Sequence, residues 1–196
     1  MDYGQARCTG PRAMREAMHL RVLSHSPHDT LALGERLGHA LQAGDLVCLY
    51  GELGSGKTVL TKGLAHGLGV PNAEGVRSPS FVLLHRYAGR VPVYHADLFR
   101  LDMPDDLEDI GLRELLGGEG VVIVEWADKL HALLPEERLD ILLQHGDADT
   151  RLITVRPHGT RYTRLTELWR SQVPDRACPG RESPLTFAAQ AGTGEG

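Results

Sequence analysis

Short apolar runs alternate along the chain with segments whose apolar residues recur at helical spacing. Residues 46–50 and 121–124 are continuously apolar, which is typical of strands buried on both faces of a parallel sheet. Residues 30–43 carry one apolar face and predict a helix, with Asp29 as its N-cap. Strands that alternate with helices in this way predict an α/β fold.

The remaining elements follow from the same patterns. Further strands are predicted at 20–23, 81–87, 91–95, 139–143 and 152–155, and further helices over about 57–68, 104–116, 127–134 and part of 163–171. The turn at 88–90 joins two of the strands into a hairpin. We therefore expect a mostly parallel central sheet with antiparallel additions.

The elements are confined to the middle of the chain. Residues 1–19 are polar and aperiodic and predict an N-terminal tail, whereas 20–165 predict a single domain. Residues 166–196 lose the periodic pattern, become rich in Pro, Gly, Ala and Ser, and predict a flexible C-terminal tail.

Composition narrows the class of protein. The 196 residues are 41% hydrophobic and 24% charged, with a net charge of −5, so they lack the basic balance of an autonomous nucleic-acid binder. No apolar run is long enough to span a membrane, and the N-terminus lacks the apolar core of a secretory signal. The three cysteines form no CxxC pair. We expect a cytoplasmic protein.

A glycine-rich motif lies between the apolar run at 46–50 and the helix that follows it. Residues 51–58, GELGSGKT, fit GxxxxGK[ST] at every fixed position. Glycines let backbone N–H groups surround a phosphate without Cβ clashes, and the helix N-terminus adds its dipole. The cofactor-binding set predicted from this motif is Gly51, Glu52, Leu53, Gly54, Ser55, Gly56, Lys57 and Thr58. Lys57 would reach the β- and γ-phosphates, and Thr58 would offer its hydroxyl to Mg²⁺.

Two acids follow predicted strands at the edge where open α/β sheets bind ligands. Glu125 ends the run at 121–124 and can hold Mg²⁺ or orient the attacking water; the alternative is an ordinary charge at a strand end. Asp97 follows the strand at 91–95 and can do the same; the alternative is an aspartate of a turn or a helix N-cap. The candidate catalytic residues are thus Lys57, Asp97 and Glu125, and the candidate metal ligands are Thr58 and Glu125.

Two further residues are candidates for nucleotide contact. Ser80 lies where switch segments of P-loop proteins sense the γ-phosphate, although a proline-containing turn also explains it. Trp126 follows Glu125 and can flank the nucleotide or a partner; the alternative is a buried packing residue. Adenine is favoured over guanine, because the guanine motif NKxD is absent and Asn72 is the only asparagine.

The chain as a whole resembles the bacterial TsaE (YjeE) family in the order and spacing of several segments, from about residue 30 to 162. These are GDLVCLYGELGSGKTVLTKGLAHGLGV, VRSPSFVLLHRY, VYHADLFRL, DIG and VVIVEWADKL. The resemblance implies a P-loop NTPase-like three-layer fold. It also implies a small ATPase that uses ATP and Mg²⁺ and serves the threonylcarbamoyladenosine modification at position 37 of tRNAs reading ANN codons.

The family pattern implies partners and residue roles as well. The partners implied are the TsaB and TsaD proteins, with tRNA contacted only indirectly. Lys57 and Thr58 match the Walker A pair, Ser80 the switch residue, Asp97 the acid of the HxDLYR segment, and Glu125 the Walker B-like acid followed by Trp126. This sequence departs from the family by SPSF in place of SPTF and by HADLFR in place of an HFDLYR-like segment.

The resulting hypothesis is an ATPase whose hydrolysis is weak until partner proteins complete its site. Two alternatives use the same motif. One is a small-molecule kinase, for which the sequence offers no lid with paired arginines. The other is a nucleotide-gated binding module without productive hydrolysis.

Overall fold

The computed structural model describes residues 19–78, 83–100 and 111–173. Its strands are β1 (Leu20–Ser24), β2 (Leu46–Tyr50), β3 (Leu84–Ala88), β4 (Pro92–Asp97), β5 (Val121–Glu125), β6 (Arg138–His145) and β7 (Arg151–His158). Its α-helices are α1 (Pro27–Ala40), α2 (Lys57–Gly67), α3 (Leu112–Leu115) and α4 (Thr160–Gln172), and 3₁₀ turns cover Ala73–Gly75 and Ala127–Leu133. Within the described ranges, no helix has the length and apolar character that crossing a membrane requires.

The strands form one seven-stranded sheet in the order β1-β7-β6-β2-β5-β4-β3. Strands β6, β2, β5 and β4 run parallel to one another, while β1, β7 and β3 join antiparallel. The mostly parallel centre, the antiparallel additions and the hairpin of β3 and β4 are therefore confirmed. The strand predicted at 81–87 and the helix predicted over about 104–116 are described only in part, because residues 79–82 and 101–110 lie outside the described ranges.

Two apolar clusters flank the sheet and give the fold its three layers. Helices α1, α2 and α4 cover one face, where aliphatic side chains of the central strands meet those of the helices. The other face is covered by α3 and the 3₁₀ turn after β5. Strands β2 and β5 are buried along their whole length, as their continuous apolar runs predict.

The start of α1 differs from the sequence prediction. Asp29 is predicted as the N-cap, but the N-cap is Ser26, whose Oγ accepts a hydrogen bond from Asp29 N at 3.1 Å. Pro27 takes the first helical position, where its missing N–H leaves no donor unpaired. The Asp29 carboxylate accepts from His25 N at 3.1 Å. Asp29 therefore stabilises the helix start from within the first turn.

Helices α1 and α2 pack backbone to backbone through glycines. A Cβ placed on Gly34 would lie 3.1 Å from the Gly63 Cα, and one placed on Gly38 would lie 3.0 Å from the Gly67 Cα. Four-residue spacing on both helices puts these glycines on the two facing surfaces. This close contact holds α2 in place and fixes the position of the motif at its start.

Helix α4 continues past residue 165, where the sequence predicts the folded domain to end. Its Tyr162, Leu165 and Trp169 are buried in the core shared with α1 and α2. Trp169 Nε1 donates a hydrogen bond to the carbonyl of Leu33 at 3.2 Å. The described chain thus remains packed on the sheet until the end of α4. Residues 1–18 and 174–196, which contain most of the predicted tails, lie outside the described ranges.

Candidate functional site

The glycine-rich motif forms the turn from β2 into α2. Gly51, Gly54 and Gly56 have φ values of +136°, +75° and +103°, which residues with a side chain rarely adopt. A Cβ on Gly51 would also lie 2.7 Å from Ser55 Oγ and would collide with the carbonyl of Leu143. No side chain caps the start of α2. The turn therefore presents backbone N–H groups at a helix N-terminus, the arrangement that binds phosphate in P-loop proteins.

Lys57 extends along the inside of this turn. Its Nζ donates hydrogen bonds to the carbonyls of Gly51 at 2.6 Å and Glu52 at 2.8 Å, and lies 3.9 Å from the centre of the Trp126 ring. Only 5% of the residue is exposed. Burial lowers the pKa of Lys57, and the nearby carboxylates of Glu125, Asp97 and Asp128 oppose that shift. Lys57 is thus a desolvated cation held beside two of the predicted acids.

Glu125, at the end of β5, joins the sheet to α2. Its Oε2 accepts a hydrogen bond from Thr58 Oγ1 at 2.9 Å. Its Oε1 accepts from Thr61 Oγ1 at 3.0 Å and lies 2.9 Å from His95 Nε2. The two predicted metal ligands, Thr58 and Glu125, are therefore in direct contact.

Asp97, at the end of β4, is the register partner of Glu125. Its Oδ1 accepts a hydrogen bond from Phe99 N at 2.9 Å, and its Oδ2 accepts from Ser78 Oγ. Parallel pairing of β4 and β5 places both acids at the carboxyl edge of the sheet, as the sequence predicts. Ser80, the predicted switch residue, lies outside the described residues, whereas Ser78 from the same segment contacts Asp97.

Trp126 is only partly buried and turns the chain away from the sheet at φ +59°. Its ring packs on Phe99, with the ring centres 4.9 Å apart. Phe99 is 47% exposed, and Leu53 in the glycine-rich turn is 74% exposed. Trp126 therefore combines the two environments considered from the sequence, because it packs on an aromatic neighbour and also borders the site through Lys57.

These residues enclose a cleft of about 380 Å³. Its lining is Leu53, Gly54, Gly56, Lys57, Thr58, Val59, Ser78, Asp97, Phe99, Arg100, Glu125 and Trp126. The structure thus brings together most of the predicted site residues. Gly51 and Glu52 take part through carbonyls that Lys57 contacts, and Ser55 is buried beneath the turn, its carbonyl accepting a hydrogen bond from Arg151 Nε at 3.2 Å.

Sequence reasoning misses three residues of the site. Thr61 and His95 contact the Glu125 carboxylate, and Ser78 contacts that of Asp97. Thr61 follows Thr58 by one helical turn, which is a usable signal because residues three apart share a helix face. His95 shares a strand face with Asp97, two residues on. Neither pattern specifies the distant Glu125 as the partner.

Comparison with known proteins gives a consistent result. The sequence model of the family described as "Threonylcarbamoyl adenosine biosynthesis protein TsaE" matches residues 24–153. The chain is 41% identical over 143 residues to the tRNA threonylcarbamoyladenosine biosynthesis protein TsaE of Bacillus subtilis, covering 72% of this chain and 88% of that protein. It is 41% identical over 136 residues to the protein of the same name from Treponema pallidum, covering 69% and 99%.

The fold is similar to a solved structure as well. The crystal structure of Bacillus subtilis YdiB superimposes with a TM-score of 0.66 at 34% sequence identity, covering 79% of this chain and 95% of that one. The stretch matched by the family model, residues 24–153, contains the glycine-rich turn, both acids and the tryptophan.

Proposed function

Because the chain belongs to the TsaE family of tRNA threonylcarbamoyladenosine biosynthesis proteins, we propose that it is a Mg²⁺-dependent ATPase that serves this modification. The observation that carries the proposal is the contact of Thr58 with Glu125 directly beside Lys57, in one cleft at the start of α2. A hydroxyl, a carboxylate and a desolvated ammonium around a glycine-rich turn are the groups that hold a nucleoside triphosphate with its metal.

The glycine-rich turn supplies the phosphate contacts in this proposal. Backbone N–H groups of the turn would contact the polyphosphate, and Lys57 would add a positive charge. The hydrogen bonds of Lys57 to the Gly51 and Glu52 carbonyls are then exchanged for bonds to phosphate oxygens. Exchange of this kind favours binding, because a buried ammonium gains an ionised partner in place of neutral carbonyls.

The donor set fits a magnesium ion. Mg²⁺ prefers hard oxygen ligands, and the Thr58 hydroxyl and Glu125 Oε2 lie 2.9 Å apart at the cleft wall. When bound, Mg²⁺ supplies positive charge that offsets the charge of the phosphate oxygens. Thr58 and Glu125 would hold it, directly or through its water ligands.

We assign the orientation of the attacking water to Asp97. Glu125 accepts hydrogen bonds from three side chains, including the Thr58 hydroxyl of the candidate metal site. Asp97 lines the same cleft and, among the described residues, accepts one bond on each oxygen, from the Phe99 amide and the Ser78 hydroxyl. A carboxylate at this position can accept a proton from water. Ser80, two residues after Ser78, is our candidate for sensing the γ-phosphate.

We further propose that the TsaB and TsaD proteins complete the site and that tRNA is contacted only through them, in the cytoplasm. Support comes from the mouth of the cleft, where Leu53 and Phe99 expose 74% and 47% of their surface. Exposed apolar side chains at the edge of a ligand site are typical of surfaces that a partner covers. The net charge of −5 gives no support for a strong direct grip on tRNA.

The experiment is ATP hydrolysis with Mg²⁺, measured for the chain alone and with the TsaB–TsaD pair of the same organism. We expect slow release of phosphate by the chain alone and a clear rise when the pair is added. Thr58→Val, which keeps the shape and removes the hydroxyl, should abolish the Mg²⁺-dependent rate. Phosphate transfer to a metabolite would instead indicate a kinase, and tight ATP binding with no turnover under any condition would indicate a nucleotide-gated binding module.

A further inference from the structure

The carboxylate of Glu125 is held from behind by two buried groups. His95 Nε2 lies 2.9 Å from Oε1, and Thr61 Oγ1 lies 3.0 Å from the same oxygen. His95 is fully buried, and Glu125 is 1% exposed. The other oxygen, Oε2, accepts from Thr58 in the lining of the cleft. The two oxygens therefore have different surroundings, one fixed in the interior and one directed at the candidate metal site.

His95 is the stronger of the two interior donors. The single hydroxyl proton of Thr61 is divided between Glu125 Oε1 and the carbonyl of Lys57, each 3.0 Å from Thr61 Oγ1. Among the described residues, His95 Nε2 contacts Glu125 Oε1 alone, and its Nδ1 is buried without a hydrogen-bond partner. An ionised carboxylate only accepts, so the Nε2–H of His95 donates to Oε1.

Packing alone does not explain a histidine at this position. Val93 lies two residues earlier on the same face of β4, and Ile123 is the register partner of His95 on β5; both are buried and aliphatic. An imidazole with an unpartnered Nδ1 in such surroundings carries a desolvation penalty that a valine or leucine would avoid. The bond to Glu125 is the interaction that offsets this penalty.

We propose that His95 is a positioning residue that fixes Oε1 of Glu125 and thereby directs Oε2 toward Thr58 and the bound metal. The inference rests on the proposed function, since it assigns His95 a role in the magnesium site of that ATPase. A ligand held by an interior hydrogen bond needs no reorganisation when the metal binds. Loss of such an outer partner typically lowers metal affinity or activity by about 10- to 100-fold.

The test measures binding of a non-hydrolysable ATP analogue by calorimetry over a series of Mg²⁺ concentrations. For His95→Leu we expect the half-saturating Mg²⁺ concentration to rise by about tenfold, with binding in the absence of Mg²⁺ unchanged. His95→Gln should restore nearly the wild-type value, because its amide N–H can occupy the place of Nε2–H. His66→Gln, a change at an exposed histidine that contacts Glu35, is the matched control and should have no effect.

Two further comparisons separate positioning from a structural role. In a Glu125→Gln background, His95→Leu should add no further loss, because its effect runs through that carboxylate. If His95→Leu does not fold, His95→Gln is compared with His95→Asn, whose shorter amide cannot reach Oε1 from the same place. The inference would be overturned if wild type and His95→Leu, or His95→Gln and His95→Asn, had the same half-saturating Mg²⁺ concentration. A wild-type protein whose nucleotide binding ignores Mg²⁺ would overturn the proposed function itself.

Discussion

The ammonium group of Lys57 lies 3.9 Å from the centre of the Trp126 ring, in the cleft that also contains Glu125 and Asp97. The pair joins the start of α2 to the residue that follows β5. A cation over an indole face is stabilised by the ring quadrupole, more so when water is excluded. Trp126 therefore reports on whatever Lys57 binds, and its fluorescence should change when phosphate replaces the carbonyl partners of Lys57.

Lys57→Ala should abolish nucleotide binding without unfolding the protein. The change removes the charge beside the glycine-rich turn, and removal of one preorganised group at a transferred phosphate costs about 100-fold or more in rate. Calorimetric titration with ATP and Mg²⁺ measures the loss of binding, the rate of phosphate release measures the loss of hydrolysis, and circular dichroism verifies the fold. Lys62→Ala, on the same helix, is the matched control. ATP hydrolysis at the wild-type rate by a folded Lys57→Ala protein would refute the assignment.

Tyr162→Phe should destabilise the protein in a manner that depends on pH. Leu46 N donates a hydrogen bond to the Tyr162 hydroxyl at 2.7 Å, and the variant leaves this buried N–H unpaired. We expect a loss of about 1–3 kcal/mol in the free energy of unfolding near pH 8. Burial raises the pKa of Tyr162 to about 12, from an ordinary value of about 10.

The sign of the pH effect follows from that raised pKa. Below about pH 10, Tyr162 is protonated in both the folded and the unfolded state and contributes its full stability. Between about pH 10 and 12 the unfolded chain loses this proton first, so the wild type loses stability, whereas the variant has no phenol to titrate at this position. Urea denaturation of both proteins should show a smaller difference in the free energy of unfolding between wild type and variant at about pH 11 than at pH 8. A difference that stays constant or widens would contradict the prediction.

Arg90→Lys should lower the stability of the helix pair, although the charge is kept. Arg90 Nη1 donates to Gly67 O at 2.7 Å, and Nη2 donates to Gly38 O at 2.8 Å and also to the carbonyl of Leu41. One guanidinium thus caps the C-terminal ends of α1 and α2 together, which a single ammonium cannot do. We expect a loss of about 1–2 kcal/mol, or about 2–8 °C in Tm.

The control for this prediction is Arg86→Lys, a change of the same kind at an exposed position of β3. It should leave Tm within about 1 °C of the wild type, because surface substitutions have small effects on stability. If Arg90→Lys and Arg86→Lys both have the same Tm as the wild type, the carbonyl contacts of Arg90 do not stabilise the helix pair.

The sequence predicts the parts of this fold that short-range patterns specify. Continuous apolar runs identify β2 and β5, and the glycine spacing of residues 51–58 reflects backbone angles directly, so the turn could be located from the sequence. Asp97 and Glu125 are found because each follows a strand at the same edge of a parallel sheet. Their roles in hydrolysis stay predictions.

Long-range pairing and weak patterns account for what the sequence misses. His95 meets Glu125 only because β4 and β5 pair in one particular register, which neither segment specifies alone. Helix α4 is predicted only in part, because it is rich in polar residues and its buried Tyr162, Leu165 and Trp169 form a weak apolar pattern. The N-cap of α1 is Ser26 and not the predicted Asp29. The prediction failed because Pro27 is compatible with a first helical turn as well as with a loop.

Gly63→Ala should be among the most damaging small substitutions in the chain. A Cβ on Gly63 would collide with the carbonyl of Leu31 and would lie 3.0 Å from Glu35 N and from the Gly34 Cα, all backbone atoms of α1 that cannot move aside singly. The helices must separate, and overpacking of this kind costs about 1–3 kcal/mol. Alanine stabilises a helix by only about 1 kcal/mol relative to glycine, which does not fully offset the cost of overpacking.

The matched control for Gly63→Ala is Gly75→Ala, where the nearest atom to a new Cβ is Asn72 Nδ2 at an ordinary 3.8 Å. Thermal melting should place Gly63→Ala well below the wild type and Gly75→Ala close to it. Because α2 carries Lys57 and Thr58 at its start, separation from α1 should also weaken nucleotide binding. A Gly63→Ala protein that melts at or above the wild-type temperature would show that the two helices adjust to the extra methyl group, and that their close contact is not required to hold the glycine-rich turn in place.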